Sequence, residues 1–121
     1  MIFSQPNLLW IFCDQLRYQA LSCNGDPNIQ TPNIDRLAAE GVRCTNAYSH
    51  YPVCVPFRAG LVTGQYPTSC NVPYHGDILH PQHRTIADSF RAAGYRTSYV
   101  GKWHLAGERG INLVSEAGWA G

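Results

Sequence analysis

The chain has no apolar run approaching the roughly 20 residues that a membrane span requires, and no lopsided charge. Nine Lys and Arg residues face eight Asp and Glu, for a net charge of +1. That balance removes the broad field with which proteins attract nucleic acid or an anionic bilayer, so neither partner is expected. The five cysteines (Cys13, Cys23, Cys44, Cys54 and Cys70) are odd in number and lack any Cys-x-x-Cys spacing. This argues against a zinc cluster or a disulfide framework. Cys13 and Cys44, inside apolar runs, read as small buried side chains. Met1 to Pro6 lacks the basic start of a secretory leader, and Leu8 to Cys13 is too short for its apolar core. A cytoplasmic location is expected, or a periplasmic or secreted one if a leader precedes the segment.

What is present points to a folded chain. Hydrophobic residues make up 45% and charged residues 14% of 121 positions, enough for one small domain with a modest core. Leu8 to Cys13 is a continuous apolar run of strand length, suited to a strand covered on both faces, and it ends at Asp14 and Gln15. Thr31-Pro32 opens a helix whose stripe is Ile34, Leu37 and Ala38 and whose stop is Gly41. Val42 to Tyr48 reads as a second strand. Pro56 to Thr63 reads as a short helix behind Cys54, closed by Gly64. The stretch from Gln65 to Arg84 carries Pro67, Pro73, Gly76 and Pro81 and reads as irregular. Thr85 and Asp88 form a capping-box pattern before a helix with Ile86, Phe90 and Ala93, stopped by Gly94. Tyr95 to Val100 is a third strand, leading to Gly101-Lys102-Trp103-His104. Alternating strands and helices predict an α/β fold with a largely parallel sheet flanked by helices. A sheet of three strands leaves an open edge and apolar faces, which invites an oligomer. Residues 111–121 follow no period and are left unassigned.

In an open parallel sheet, ligands bind beyond the carboxyl ends of the strands. That rule gathers Asp14 and Gln15, the Cys54 segment with Arg58, and Lys102 with His104 at one rim. Cys54 would face the unpaired N–H groups of the helix behind it. A carboxylate, an amide oxygen, a thiol, two cations and an imidazole suit a doubly charged oxyanion held against a hard metal ion. His75, His80 and His83 read as loop histidines, and Trp10 and Trp103 as packing residues.

Four ordered motifs carry a resemblance. Pro6-Asn7-Leu8 leads through a strand to Asp14, and Thr31-Pro32-Asn33-Ile34-Asp35-Arg36-Leu37-Ala38 opens the first helix. Cys54-Val55-Pro56-Phe57-Arg58 continues to Thr63-Gly64-Gln65-Tyr66-Pro67, and Gly94-Tyr95-Arg96-Thr97 leads to Gly101-Lys102-Trp103-His104. Together they resemble the N-terminal portion of the formylglycine-dependent sulfatases, in the alkaline phosphatase superfamily.

The resemblance implies an alkaline phosphatase-like fold, incomplete in this chain, with residues 1–110 forming the N-terminal part of a sulfatase catalytic domain. It implies hydrolysis of a small-molecule or carbohydrate sulfate ester. Cys54 would be converted by a separate maturation enzyme to formylglycine, whose hydrate attacks sulfur and then collapses to release sulfate. Asp14, Gln15 and residue 54 would hold a divalent ion, calcium first, with magnesium or manganese as alternatives. Arg58 and Lys102 would hold oxyanions, and Lys102 and His104 would contact the sulfate or the leaving group. Family members are several times longer and take further metal ligands from their later half. Weak or no activity is therefore expected of these 121 residues alone. Two alternatives stay open: a phosphonate monoester or phosphodiester hydrolase, which the Asp14-Gln15 pairing resembles, and a noncatalytic fragment with Cys54 left as a thiol.

Overall fold

Short polar signals set the ends of the helices. The computed structural model describes residues 5–106, which divide into two units at Ala47/Tyr48. The unassigned tail lies outside the described residues.

In the first unit, helix α1 spans Pro32–Glu40, with proline in its first turn and the Gly41 N–H closing it on the Leu37 carbonyl at 2.9 Å. These are the ends that Thr31-Pro32 and Gly41 predicted. The Thr31 side chain looks away from the first-turn N–H groups. Its hydroxyl lies 2.7 Å from that of Ser22 and donates to Asp35 Oδ1 at 2.9 Å. Asp35 Oδ2 also accepts from the Ser22 hydroxyl at 2.6 Å, and Oδ1 from the Cys23 N–H at 3.0 Å. One carboxylate thus ties the Ser22–Asn24 turn to α1. The apolar stripe of α1 is uncovered, with Ile34 and Leu37 exposed.

In the second unit, α2 spans Cys54–Thr63 and α3 spans Ile86–Ala92. Helix α2 begins two residues earlier than Pro56, so Cys54 is its first residue. Pro56 still falls in the first turn, where a missing N–H costs nothing, and the first helical bond comes from the Phe57 N–H to the Val53 carbonyl at 2.9 Å. Gly64 ends α2 with φ +69°, a left-handed conformation suited to glycine. Val55, Ala59 and Val62 recur at helical spacing on one face and meet Cys70, Val72, Leu79 and Leu105 in the core. Gly60 lies beneath His50, whose ring stacks on Phe57 at 5.3 Å. A Cβ at Gly60 would stand 2.0 Å from His50 Nε2 and 2.9 Å from the Gln65 carbonyl oxygen, so the close approach requires glycine. Helix α3 carries the expected capping box, with Asp88 Oδ2 accepting from the Thr85 N–H at 2.7 Å and the Thr85 hydroxyl at 2.8 Å.

The three expected strands are where the structure departs from the sequence reading. Among the described residues no β-strand forms; residues 8–13, 42–48 and 95–100 lack ladder pairing. A strand is stable only when its N–H and C=O groups find a neighbouring strand. These segments find none here, and most of their apolar side chains face solvent: Leu9 is 82%, Val42 94% and Val100 96% exposed. Cys13 and Cys44 are consequently exposed rather than buried, and all five cysteines are free thiols. Trp10 is exposed for the same reason, whereas Trp103 packs against the core. Residues 95–100 keep the two-residue alternation of a strand, with Tyr95, Thr97 and Tyr99 half-buried and Arg96, Ser98 and Val100 exposed.

Truncating Leu105 to alanine removes a side chain that is 1% exposed and is expected to lower unfolding free energy by about 2–5 kcal/mol in urea titrations.

The hydroxyl of Ser22 foremost holds the Asp35 carboxyl below the ordinary aspartate range, and the backbone N–H of Thr85 does the same for Asp88. A depressed carboxyl contributes stability above its unfolded pKa and loses it as pH falls through the folded value. Asp88→Asn is therefore expected to cost about 0.5–1 kcal/mol at neutral pH, the scale of a partly exposed helix cap, and to match the parent chain well below pH ~3.9. An equal gap in urea midpoints at both pH values would show that the carboxylate is not the stabilising group.

Candidate active site

The first residue of α2 is Cys54, half-buried and packed against the core. Arg58, one turn on along the same helical face, is buried at 4% exposure. A buried guanidinium must be hydrogen-bonded. Arg58 Nη1 donates to the Lys102 carbonyl and to the Tyr99 hydroxyl, the latter at 3.2 Å. The Tyr99 hydroxyl itself donates to that carbonyl at 2.6 Å, and the Tyr99 ring meets Trp103 edge-on at 5.2 Å. The turn reverses at Gly101, whose φ of +109° no residue with a Cβ adopts readily.

Beyond it, Leu105 is buried in the core and its carbonyl accepts from the Leu79 N–H at 3.0 Å. The segment carrying Lys102 and His104 is therefore pinned at both ends. The side chain of Lys102 is exposed, while His104 is half-buried with its Nδ1 shut off from solvent. His104 has φ +57°, an uncommon left-handed backbone for a residue with a Cβ. Its ring meets that of His75 edge-on, with centroids 5.0 Å apart. Ligand atoms of Cys54, His75 and His104 lie within 4.8 Å of one another.

The second unit thus brings together Cys54, Arg58, the Lys102 turn and His104, and adds His75. Sequence reasoning assigned His75 to an ordinary surface loop. Nothing in its spacing marks it, because it follows no helix or strand period. The remaining two predicted residues, Asp14 and Gln15, belong to the first unit. Both are exposed and occupy a turn, and Gln15 has φ +58°. Their oxygen donors fit a hard cation such as calcium or magnesium. The sulfur and imidazole nitrogens around Cys54 are softer and do not fit one.

A family model described as Sulfatase matches residues 6–109. The chain is 46% identical over 106 residues to an ulvan-active sulfatase of Formosa agariphila, covering 88% of this chain and 21% of that relative. A solved structure from the metabolism of multiple glycosaminoglycans by Bacteroides thetaiotaomicron superposes with a TM-score of 0.78 at 42% identity, over 84% of this chain and 22% of that one. A second, solved in complex with its substrate D-glucosamine-2-N,6-O-disulfate, gives a TM-score of 0.71 at 37% identity, over 75% and 18% of the two chains. The chain belongs to the sulfatase family, whose fold is alkaline phosphatase-like. It spans about a fifth of the length of the curated relatives it matches.

Arg58→Met removes one of the two donors to the Lys102 carbonyl, leaving the Tyr99 hydroxyl, and is expected to cost about 1–3 kcal/mol. Faster amide hydrogen exchange across residues 101–105 checks this. Unchanged exchange there would mean that the turn is held by other contacts.

Proposed function

We propose that this chain supplies the nucleophile-bearing portion of a sulfuric ester hydrolase that acts on sulfated carbohydrates. The observation that carries the reading is the meeting of Cys54, at the start of α2, with the Lys102–His104 segment that Arg58 holds in place. Relatives that act on ulvan and on a disulfated glucosamine support a sulfated sugar as the ligand.

Residue 54, after conversion by a formylglycine-generating partner enzyme, supplies a hydrated aldehyde in place of the thiol. Arg58 is a permanent charge beside it and, through its bond to the Lys102 carbonyl, a positioning residue. Lys102 brings a flexible point charge to the sulfate oxygens. His104 holds a proton near the leaving oxygen. Asp14 and Gln15 would hold the divalent ion, calcium by the hardness of their oxygens; when bound, it supplies positive charge to the sulfate. Residues 8–13, 42–48 and 95–100, which carry no ladder among the described residues, would be the strands of the proposed parallel sheet once paired. A phosphonate or phosphodiester hydrolase is the second reading, favoured by a neutral Gln15 beside Asp14.

Co-expression with a formylglycine-generating enzyme is expected to lower the mass of the peptide containing Cys54 by about 18 Da, as a thiol-bearing carbon becomes an aldehyde. In the protein that carries this segment, sulfate release from sulfated glucosamine should exceed phosphodiester cleavage by roughly 100-fold. Cys54→Ala should lower that release by on the order of 10³-fold or more. Preference for the phosphodiester would select the second reading. An unconverted Cys54 with no hydrolysis of either ester would refute both.

A further inference from the structure

We propose that, before residue 54 is converted, Cys54, His75 and His104 form a binding site for a borderline divalent ion, with zinc as the ion they match. Each side chain offers one ligand atom, Sγ or a ring nitrogen, and all three atoms lie within 4.8 Å of one another. Tetrahedral zinc, with bonds of about 2.3 Å to sulfur and 2.0–2.1 Å to nitrogen, wants its donors roughly 3.3–3.6 Å apart. Closing that gap takes about 1 Å of side-chain movement. His75 can supply it, since it is exposed. Its place in the chain is nevertheless defined. The flanking turn is closed by the Tyr74 N–H on Asp77 Oδ2 at 2.7 Å and by the Asp77 N–H on the Tyr74 carbonyl at 3.2 Å.

The other two donors are set by the fold. Cys54 starts α2 against the core, and His104 is carried between the pinned Lys102 carbonyl and buried Leu105. One thiolate and two imidazoles select zinc over calcium, and three protein ligands leave a fourth position for water. On binding, the S–H bond gives up its proton to solvent as the sulfur–metal bond forms. The ion thereby masks the Cys54 thiol from electrophiles. This inference concerns the thiol form and does not rest on the hydrolase reading.

The test uses the chain with Cys54 shown by mass to be unconverted. Zinc is titrated in competition with a chromophoric chelator, and alkylation of Cys54 by iodoacetamide is followed by peptide mass with and without the ion. One zinc per chain is expected. Affinity should fall by about tenfold or more in His75→Ala and in Cys54→Ser. Zinc should slow Cys54 alkylation by at least a similar factor in the parent chain, and much less in His75→Ala. His75 is exposed, so its replacement spares the core, and an unchanged thermal midpoint verifies this. Affinity and Cys54 alkylation that both ignore His75→Ala would overturn the proposal and assign the binding to other thiols, such as exposed Cys13 or Cys44. Loss of sulfate hydrolysis in the converted protein would leave these zinc results standing.

Discussion

The hydrogen bond from the buried Arg58 guanidinium to the Lys102 carbonyl is the contact around which the second unit is arranged. A cation taken out of water is costly unless its donors are used. Here a carbonyl and a tyrosine hydroxyl use them, and charge-assisted bonds are stronger than neutral ones. The consequence reaches beyond Arg58. The carbonyl it holds belongs to the residue whose side chain is the exposed cation of the candidate site, and the next residues along are Trp103 and His104. Arg58 therefore couples the helix that presents Cys54 to the turn that presents Lys102 and His104. A lysine at position 58 would bring the charge as a compact ammonium on a flexible stem, in place of the guanidinium whose Nη1 reaches both acceptors.

The backbone also sets these residues apart. Three described residues with a Cβ adopt left-handed φ values: Gln15, Asn71 and His104. Two of them, Gln15 and His104, are also candidate site residues by their motif position. Such conformations cost free energy and persist only where surrounding contacts over-determine them. For His104 those contacts are identifiable, in the Lys102 carbonyl on one side and buried Leu105 on the other. The strain is thus a by-product of turning the chain sharply enough to place an imidazole beside Cys54 while Leu105 returns to the core.

Features that depend on a few neighbouring residues could be read from the sequence. The stops at Gly41 and Gly64 and the Thr85–Asp88 box are decided within a turn or two, and the structure reproduces them. The start of α2 was misplaced by two residues because proline is tolerated anywhere in the first turn. Strand formation is a different problem. The apolar run Leu8–Cys13 and the alternating segment Tyr95–Val100 state what the chain can bury but not which segment will pair with it. Pairing is absent among the described residues, although residues 95–100 retain a strand's alternation. His75 was missed for a similar reason. Its partners, Cys54 and His104, are remote in sequence, and only the irregular path of residues 65–84 over α2 brings it to them.

The two sets of candidate metal ligands differ in chemical hardness, and residue 54 stands at the boundary. As a thiol it is a soft donor flanked by two imidazoles, a company that disfavours calcium. Converted to an aldehyde hydrate, as proposed, it becomes an oxygen donor and joins the class to which Asp14 and Gln15 already belong. A single covalent change would then reverse which ion the residue prefers. Once the sulfur is gone, both rings can still donate hydrogen bonds to an anion. His75 and His104 are thus compatible with either state of residue 54, while the sulfur itself is compatible with only one.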